Sequence, residues 1–223
     1  MADYTIEAIE SAPFAQVCYV AWREGRPDAL VVDPGFDTDS VLRLLEIRGL
    51  VLAAILNTHG HADHIAGNAA VKRAHPSAPL MIGRNDAVML TDAVANLSAG
   101  FGLDVTSPDS DRLLDEGERI EVAGFDFLVR EIPGHSPGSV VYIADGFHPP
   151  IVFGGDVLFA GSVGRTDLPG GSFPQLRAGI HQKLFTLPDT AIVYPGHGPA
   201  TTVGAERRTN PFVGGPSDPF GAS

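Results

Sequence analysis

Short apolar runs, rich in β-branched and aromatic residues, recur along the chain and are separated by turns or by segments of helical periodicity. In order, these runs are CYVAW, ALVVD, VLAAILN, PLMIG, RIEV, FDFLVREI, SVVYIA, PIVFGG and AIVYPG. The first two flank the sequence EGRPD, in which Gly25 and Pro27 supply a bend, so we expect them to form an antiparallel hairpin. The pattern predicts a core that consists mainly of β-sheet.

Helical periodicity appears between several of these runs. In TDSVLRLLEIRG the apolar residues recur at helical spacing, Asp39 or Ser40 is placed to cap the helix, and Gly49 is placed to end it. Further helices are predicted at residues 65–74, 86–97 and 173–187. Hairpins combined with strand-helix-strand units are what two stacked sheets with helices on their outer faces would produce. This α/β organisation is compatible with a four-layer αββα sandwich, and the chemical motifs described below favour that fold over other α/β folds.

The composition is that of an ordinary globular protein, with 223 residues of which 44% are hydrophobic and 19% charged. This is enough to bury one substantial core. Fifteen Lys and Arg residues against 27 Asp and Glu residues give a formal charge of -12, which repels phosphate backbones and anionic membranes. Neither nucleic acid nor a membrane is therefore expected as a partner. The single cysteine, Cys18, cannot form an internal disulfide and is expected in a buried strand.

We expect one domain over residues 1–210 and a loosely ordered tail over residues 211–223, since Gly, Pro and Ser are frequent in that stretch. The N-terminal sequence MADYTIEAIE lacks the basic and apolar segments of a secretory signal. No stretch reaches the roughly 18 apolar residues that a membrane-spanning helix needs. A soluble, cytoplasmic protein is the expectation.

A dense group of polar side chains follows the apolar run that ends at Leu56. The segment NTHGHADHIAG places His59, His61, Asp63 and His64 at a strand end and on the turn into a helix. Imidazole and carboxylate ligands suit zinc, iron or manganese, and the absence of a thiolate disfavours a purely structural zinc site. Asp63 is also in a position to be the N-cap of a helix that starts near Ile65, which is compatible with a role as ligand.

Three further candidate ligands come directly after later apolar runs. His135 follows FLVREIPG, Asp156 follows IVFGG and His197 follows AIVYPG. The ends of strands are where scaffolds commonly present functional groups. If these strands share an edge of the sandwich, seven ligands converge there and predict a catalytic metal site.

These motifs resemble those of the metallo-β-lactamase superfamily, through H-x-H-x-D-H and the later histidine, aspartate and histidine. Within it the chain is most similar to glyoxalase II-like hydrolases, through THGHADH, PGHSPGS, FGGDVLFAGSVGRTDLPGG and YPGHGPATTVGAERRTNPF. The resemblance covers nearly the whole chain and implies the αββα fold with two divalent metals, zinc or alternatively iron or manganese. It assigns one metal to His59, His61 and His135, the second metal to Asp63, His64 and His197, and the bridging position to Asp156.

The same resemblance suggests roles for residues around the metals. Asp33 would orient a ligand, although the turn in VVDPG explains an aspartate there equally well. Arg165, with Asp167 beside it in GRTD, would contact the glutathione part of a substrate, although an internal salt bridge between the two is an equal alternative. We expect no counterpart of the helical C-terminal domain of long glyoxalase II proteins, since only residues 198–223 follow His197 in this sequence.

The function implied is hydrolysis of a small-molecule thioester such as S-lactoylglutathione by metal-bound hydroxide, with Asp63 and Asp156 as catalytic residues. Two cations about 3.5–4 Å apart can act on the attacking and the departing groups together, which supports this reading. One alternative is a persulfide dioxygenase, in which His59, His135 and Asp156 would hold a single iron. A lactonase, a β-lactamase and a metal-binding protein without catalysis are further alternatives.

Overall fold

A computed structural model of the protein describes residues 3–215, which contain two six-stranded sheets. The first sheet consists, in spatial order, of β1 (Tyr4–Ser11), β2 (Gln16–Arg23), β3 (Asp28–Val32), β4 (Val51–Asn57), β5 (Leu80–Gly83) and β6 (Arg112–Leu114). The second consists, in spatial order, of β14 (Thr201–Thr202), β13 (Ile192–Pro195), β10 (Ile151–Gly155), β9 (Val140–Ala144), β8 (Phe125–Glu131) and β7 (Arg119–Val122). A separate small hairpin is formed by β11 (Leu158–Phe159) and β12 (Ser162–Val163).

Helices flank both sheets. The α-helices are α1 (Thr38–Arg48), α2 (Ala62–Ile65), α3 (Asn68–Ala74), α4 (Phe173–Gly179) and α5 (Val203–Thr209). Two 3₁₀ segments span Arg84–Leu90 and Ser98–Phe101, and a π-helical turn spans Ile180–Leu184. Between residues 3 and 215 there is no helix whose length and hydrophobicity would let it span a bilayer.

Side chains alternate between the two faces of each strand, and this alternation sorts the apolar residues into layers. On β2, Tyr19 points between the sheets, where its ring centroid lies 5.6 Å from that of Phe153 on β10. Its neighbour Val20 points the other way and belongs to the cluster that contains Leu45 of α1. On the outer face of the second sheet, Val193 shares a cluster with residues of α4. The layers are therefore α, β, β and α, which confirms the predicted sandwich.

The predicted strands and the first hairpin are confirmed. Each of the nine apolar runs lies in a strand, and β2 pairs antiparallel with β3, with Tyr19 opposite Val32 and Trp22 opposite Ala29. The buried position of Cys18 on β2 is confirmed as well. The strands that the apolar runs did not predict are either very short or, like β1, half-buried at a sheet edge. Such strands carry fewer apolar residues and therefore a weaker signal.

The capping residue of α1 was predicted incorrectly. The N-cap is Asp37, not Asp39 or Ser40, because the Asp37 carboxylate accepts a hydrogen bond from Ser40 N at 3.2 Å. This bond satisfies one of the free N–H groups of the first turn. At the other end, Gly49 adopts a φ of +63° and terminates the helix as predicted.

The other predicted helices are shorter than expected. The helix predicted at 65–74 is divided at Gly67 into α2 and α3. The helix predicted at 86–97 is a 3₁₀ segment followed by turns, because the side chains of Asp92 and Asn96 accept hydrogen bonds from nearby backbone N–H groups instead of leaving them to a helix. The helix predicted at 173–187 begins as α4 and continues as the π-helical turn.

The predicted tail lies mostly beyond the described part of the chain, which ends at residue 215. Its first residues are packed. Val213 is buried in the outer cluster of the second sheet, and its backbone N–H donates to Asn210 Oδ1 at 3.3 Å. The packed core thus extends a few residues past the predicted boundary at 210, because Asn210 anchors the chain there.

Candidate metal centre

The seven predicted ligands follow strand ends at one edge of the sandwich. β8 and β10 both pair antiparallel with β9, and β10 pairs parallel with β13, so the carboxyl ends of β8, β10 and β13 meet at the same edge. The end of β4 is held against this edge, because Tyr142 Oη donates to Asn57 O at 2.7 Å. The structure therefore brings the H-x-H-x-D-H segment together with the three later candidates.

The first trio consists of His59, His61 and His135, whose ligand atoms all lie within 4.8 Å of one another. His61 Nδ1 and His135 Nε2 are 2.9 Å apart. Burial, followed by the charge of His135, lowers the pKa of His61 to about 3, and burial lowers the pKa of His59 well below its usual value. Both rings are therefore neutral at neutral pH, which is the form that binds a metal.

The second trio consists of Asp63, His64 and His197, whose ligand atoms also lie within 4.8 Å of one another. Asp63 Oδ2 lies 3.3 Å from His197 Nε2 and 3.8 Å from His64 Nε2. Burial by itself would lower the pKa of His64, but Asp63, Asp156 and Asp33 raise it well above its usual value. The carboxylates thus create a negative potential at the place where a cation would bind.

Asp156 lies between the two trios. Its Oδ1 is 3.4 Å from His64 Nε2, and its Oδ2 is 3.4 Å from His135 Nε2 and 3.5 Å from His197 Nε2. Burial by itself would raise the pKa of Asp156, but His64 and His135 lower it strongly, so the group is ionised. One carboxylate oxygen near each trio is the arrangement expected of a bridging ligand.

Three buried atoms of this cluster have no hydrogen-bond partner among the described residues. They are His59 Nε2, His64 Nε2 and Asp156 Oδ1. A buried polar atom without a partner is destabilising by about 1–3 kcal/mol, so native proteins rarely contain several of them side by side. A divalent cation would accept their lone pairs, and the donor set of imidazole and carboxylate suits zinc, iron or manganese. The residues therefore fit a pair of divalent metals.

Asp33 lies beneath the second trio, as the sequence comparison suggested. It accepts hydrogen bonds from Thr58 N at 2.7 Å and from Thr58 Oγ1 at 2.6 Å, and its Oδ2 lies 2.9 Å from His64 Nδ1. This contact turns Nε2 of the same ring toward the centre. Asp33 also has a φ of +50°, so the residue forms part of a turn as well. The two interpretations of Asp33 are therefore compatible.

The prediction that Asp63 caps a helix is wrong. Helix α2 begins one residue earlier, its N-cap is His61, and Asp63 lies inside the first turn without a capping hydrogen bond. The carboxylate is directed toward His197 instead. Burial would raise the pKa of Asp63, but His64 and the hydrogen bond to His197 lower it, so Asp63 is ionised.

Arg165 and Asp167 form the internal salt bridge that the sequence allowed. Arg165 Nε donates to Asp167 Oδ1 at 2.7 Å and Nη2 to Oδ2 at 2.8 Å, with both side chains mostly exposed. The hydrogen bond from Arg165 lowers the pKa of Asp167 to about 2. The backbone of Arg165 serves the centre, since its carbonyl oxygen lies 2.9 Å from His135 Nδ1 and orients that ring.

One buried residue near the centre escaped the sequence analysis. Asp86, placed there in a predicted helix, accepts hydrogen bonds from Gly60 N at 3.1 Å, from Ser136 Oγ at 2.6 Å and from Gly138 N at 2.6 Å. Gly60 lies between two predicted ligands, and Ser136 follows His135. Asp86 therefore ties together two ligand-bearing loops. It follows β5 by three residues and not directly, so its position near a strand end is only a weak signal in the sequence and does not reveal its partners.

Backbone space at the centre is also restricted. A Cβ atom at Gly196 would overlap Asp156 Oδ1 and His64 Cε1. Only glycine lets the β13 strand end approach the carboxylate so closely. A cavity of about 700 Å³ opens above the cluster, and His61, Asp63, His135, Asp156 and His197 form its floor.

An αββα sandwich with histidines and aspartates gathered at one edge defines a class of metal-binding α/β enzymes. The chain belongs to the metallo-beta-lactamase superfamily, whose family model matches residues 12–197. Members of this superfamily are generally metal-dependent hydrolases.

Individual relatives are similar over almost their full length. The hydroxyacylglutathione hydrolase GloC of Haemophilus influenzae is 34% identical over 214 residues, covering 93% of this chain and 97% of the relative. The crystal structure of the BLEG-1 B3 metallo-beta-lactamase has a TM-score of 0.89 and 38% identity, covering 95% of this chain and 100% of the other. TTHA1623 in a di-iron-bound form has a TM-score of 0.80 and 36% identity, covering 92% and 99%.

Proposed function

We propose that this protein is a glyoxalase II-like thioester hydrolase with two divalent metals, and that its substrate is S-lactoylglutathione or a related acyl thioester. The observation that carries the proposal is the position of Asp156, whose two oxygens approach both trios of candidate ligands. The likeness to a hydroxyacylglutathione hydrolase over almost the whole chain supports the substrate class. We propose zinc as the metal, with iron or manganese as alternatives, since a similar protein has been solved in a di-iron-bound form.

The reaction adds water to the acyl carbon and breaks the carbon–sulfur bond, which yields a carboxylic acid and a thiol. When bound, the metals would lower the pKa of water and polarise the carbonyl oxygen. The ionised Asp63 lines the cavity and is placed to accept a hydrogen bond from the attacking water and so to orient it. A thiol has a pKa of about 8.5, so it departs as thiolate without a strong acid nearby.

The residues beneath the centre hold the ligands in place. Asp33 fixes the ring of His64, and the carbonyl oxygen of Arg165 fixes the ring of His135. Ligands oriented in this way need little reorganisation during the reaction, which is how a preorganised site stabilises developing charge. We propose the role of positioning group for Asp33, and for Arg165 we propose contact with the substrate in addition to its salt bridge with Asp167.

A test of this function follows the loss of thioester absorbance when the zinc-loaded protein is mixed with S-lactoylglutathione. We expect turnover that a chelator abolishes and that returns when metal is added back. Asp156→Ala should lose both turnover and part of the metal content, whereas Asp145→Ala, a control on the exposed surface, should lose neither. Turnover and metal content that survive Asp156→Ala would refute the bridging role, and a metal-loaded protein without turnover would refute the substrate class.

A second candidate function is hydrolysis of β-lactams, which the likeness to the BLEG-1 B3 metallo-beta-lactamase favours. The same cluster of ligands would serve both reactions. Parallel measurement of kcat/KM on a chromogenic cephalosporin and on S-lactoylglutathione decides between them. A ratio in favour of the cephalosporin would reverse our ranking.

A persulfide dioxygenase needs only His59, His135 and Asp156, and the second trio would then have no role. The presence of a complete second trio supports the two-metal hydrolase. One iron per chain together with oxygen consumption in the presence of a persulfide would refute the hydrolase.

We also propose that the protein acts in the cytoplasm on small molecules and not on nucleic acids, which cell fractionation and a nuclease assay would check.

A further inference from the structure

The cavity above the metal centre is lined mainly by apolar side chains. Three of the large hydrophobic residues that the protein leaves exposed face it: Val94 is 75% exposed, Phe101 66% and Leu103 41%. We propose that the cavity binds a bulky apolar acyl group of the thioester, an aromatic ring or an extended aliphatic chain. The inference rests on the proposed thioester hydrolysis and names its substrate class.

One side of the cavity is formed by the loop of residues 94–103, in which Val94, Phe101 and Leu103 are exposed while the two polar side chains, Asn96 and Ser98, are buried. Asn96 Nδ2 donates to Met89 O at 3.0 Å and to Val105 O at 2.8 Å. Ser98 Oγ accepts a hydrogen bond from Val105 N at 3.1 Å. These hydrogen bonds connect the middle of the loop to Met89 and Val105, the residues that flank it. The exposed apolar residues are therefore held in place and are not the side chains of a loose segment.

The same loop is tied directly to the metal motif. The carbonyl oxygen of Asn96 accepts a hydrogen bond from Ala62 N at 3.0 Å, and Ala62 lies between two candidate ligands. Leu97, the next residue, lines the cavity with a φ of +73°, a strained conformation for a bulky side chain. Strain of this kind persists where the surroundings over-determine it, as at ligand-binding sites. The loop is thus hydrogen-bonded directly to the segment that carries the candidate ligands.

Aromatic rings extend this side of the cavity. The ring centroid of Phe14 lies 5.5 Å from that of Phe101 in an edge-to-face contact and 5.8 Å from that of Phe36. Phe14 and Phe101 both line the cavity. Rings in such contact form a stable apolar surface on which an aromatic or aliphatic group can pack.

Three more apolar residues that line the cavity, Phe159, Val163 and Leu168, follow Asp156 in the sequence. The ring of Phe159 lies 6.0 Å from that of His197, so this group begins beside a candidate ligand. The hairpin β11–β12 that carries it is anchored from behind, because the buried Glu206 accepts a hydrogen bond from Gly161 N at 2.9 Å. Two hydrogen-bonded segments therefore contribute apolar side chains to the cavity around the candidate ligands.

The charges around the cavity do not match a polar, anionic group. Among residues 3–215, Arg165 is the one Lys or Arg that lines it, and Asp167 already pairs with its guanidinium, so the substrate contact proposed for Arg165 adds little net positive charge. Glutathione carries two carboxylates, and the chain as a whole has a formal charge of -12. The acyl chain and the thiol sulfur are both bonded to the reacting carbon, so both lie near the centre. The acyl chain can match the apolar lining of the cavity, whereas the charged ends of a tripeptide thiol are far enough from the sulfur to extend into solvent. Burial of apolar area is therefore the main source of affinity that the cavity offers.

The test compares S-methylglutathione with S-hexylglutathione, two thioethers that share the tripeptide and cannot be hydrolysed. Calorimetry with the metal-loaded protein should give at least about tenfold tighter binding of the hexyl compound, since burial of about two methylene groups suffices for that factor. Phe101→Ala should reduce the preference to less than about threefold. Ile47→Ala removes an apolar side chain that is similarly exposed, on α1 and away from the cavity, and should leave the preference unchanged.

Equal affinity for the two thioethers, or equal behaviour of the two variants, would overturn the inference. Phe101 is largely exposed, so its truncation leaves the fold intact, and thermal unfolding checks this. If S-lactoylglutathione is hydrolysed but the hexyl preference is absent, the substrate class inferred here fails and the thioesterase function stands. If the hexyl preference depends on Phe101 but no thioester is hydrolysed, the proposed function fails and the apolar site stands.

Discussion

Replacing Asp86 tests whether the two ligand-bearing loops depend on a single buried carboxylate. Asp86→Ala removes the acceptor of the hydrogen bonds from Gly60 N and Gly138 N, and both donors are then left buried without a partner. Each such loss is destabilising by about 1–3 kcal/mol. Ser136 Oγ loses its bond to Asp86 as well but keeps a contact with Ser139 Oγ at 2.5 Å.

Burial of the charged Asp86 carboxylate is itself unfavourable, so its removal offsets part of the loss in the free energy of unfolding. Burial raises the pKa of the Asp86 carboxyl, although its hydrogen bonds with Ser136, Gly60 and Gly138 oppose the change. We therefore expect Asp86→Ala to lower the free energy of unfolding by about 2–5 kcal/mol, and Asp86→Asn, which keeps one acceptor, to lower it by about half as much. A domain of typical stability remains folded after either change.

Loss of this connection should also weaken metal binding, because the histidines on the two loops are no longer held in one geometry. Removing a partner that orients a metal ligand commonly lowers metal affinity by about 10–100-fold. We expect a loss near the lower end of this range, since Asp86 acts through the backbone and through Ser136. Competition with a chromophoric chelator measures the affinity, and urea unfolding of the metal-free protein measures the stability.

Leu45→Ala is the matched control, because Leu45 is a buried residue of α1 and its truncation is destabilising by about 2–5 kcal/mol without changing a contact of the ligand-bearing loops. It should lower stability as much as Asp86→Ala and leave metal affinity unchanged. If both variants bind metal as tightly as the unaltered protein, Asp86 is merely a core residue and the reasoning is refuted.

Three further predictions concern the surroundings of the centre. Asp33→Asn should weaken metal binding about 10–100-fold, since it removes the charged partner of the His64 ring. Competition with a chelator measures this affinity, and an unchanged value would contradict the role of Asp33. Glu206→Ala should release the β11–β12 hairpin and raise KM for an apolar thioester with little change in kcat, whereas an unchanged KM would exclude this role. In metal-free protein, burial and the charge of His135 lower the pKa of His61 to about 3 from 6.5. The unfolded chain then binds the proton first, so this contribution to stability is complete above pH 6.5 and is lost as the pH falls toward 3. Between pH 3 and 6.5 the free energy of unfolding therefore rises with pH. His61→Asn should reduce the slope of this rise by up to about 1.4 kcal/mol per pH unit in urea unfolding, and equal slopes in the two proteins would contradict the lowered pKa of His61.

The sequence by itself determined the layers of the fold and the candidate members of the metal cluster. Apolar runs with strand periodicity identify every strand of five or more residues except β1, because alternation along a strand is a property of neighbouring residues. The ligands were recognisable because imidazole and carboxylate groups in H-x-H-x-D-H have a characteristic chemistry and spacing, and each later ligand directly follows an apolar run. That Arg165 and Asp167 can pair was also evident from their separation of two residues.

Only the tertiary structure decided which groups support that cluster and what surrounds it. Asp86 acts on residues up to 52 positions away, and Glu206 holds a hairpin 45 positions away, so no local pattern reveals either contact. Asn96 and Leu97 lie where periodicity predicted a helix, and their side-chain bonds and strained backbone instead build a cavity wall. Local periodicity is set by neighbouring residues, whereas a buried hydrogen bond or a cavity depends on which distant segments pack together, and that is decided by the whole core.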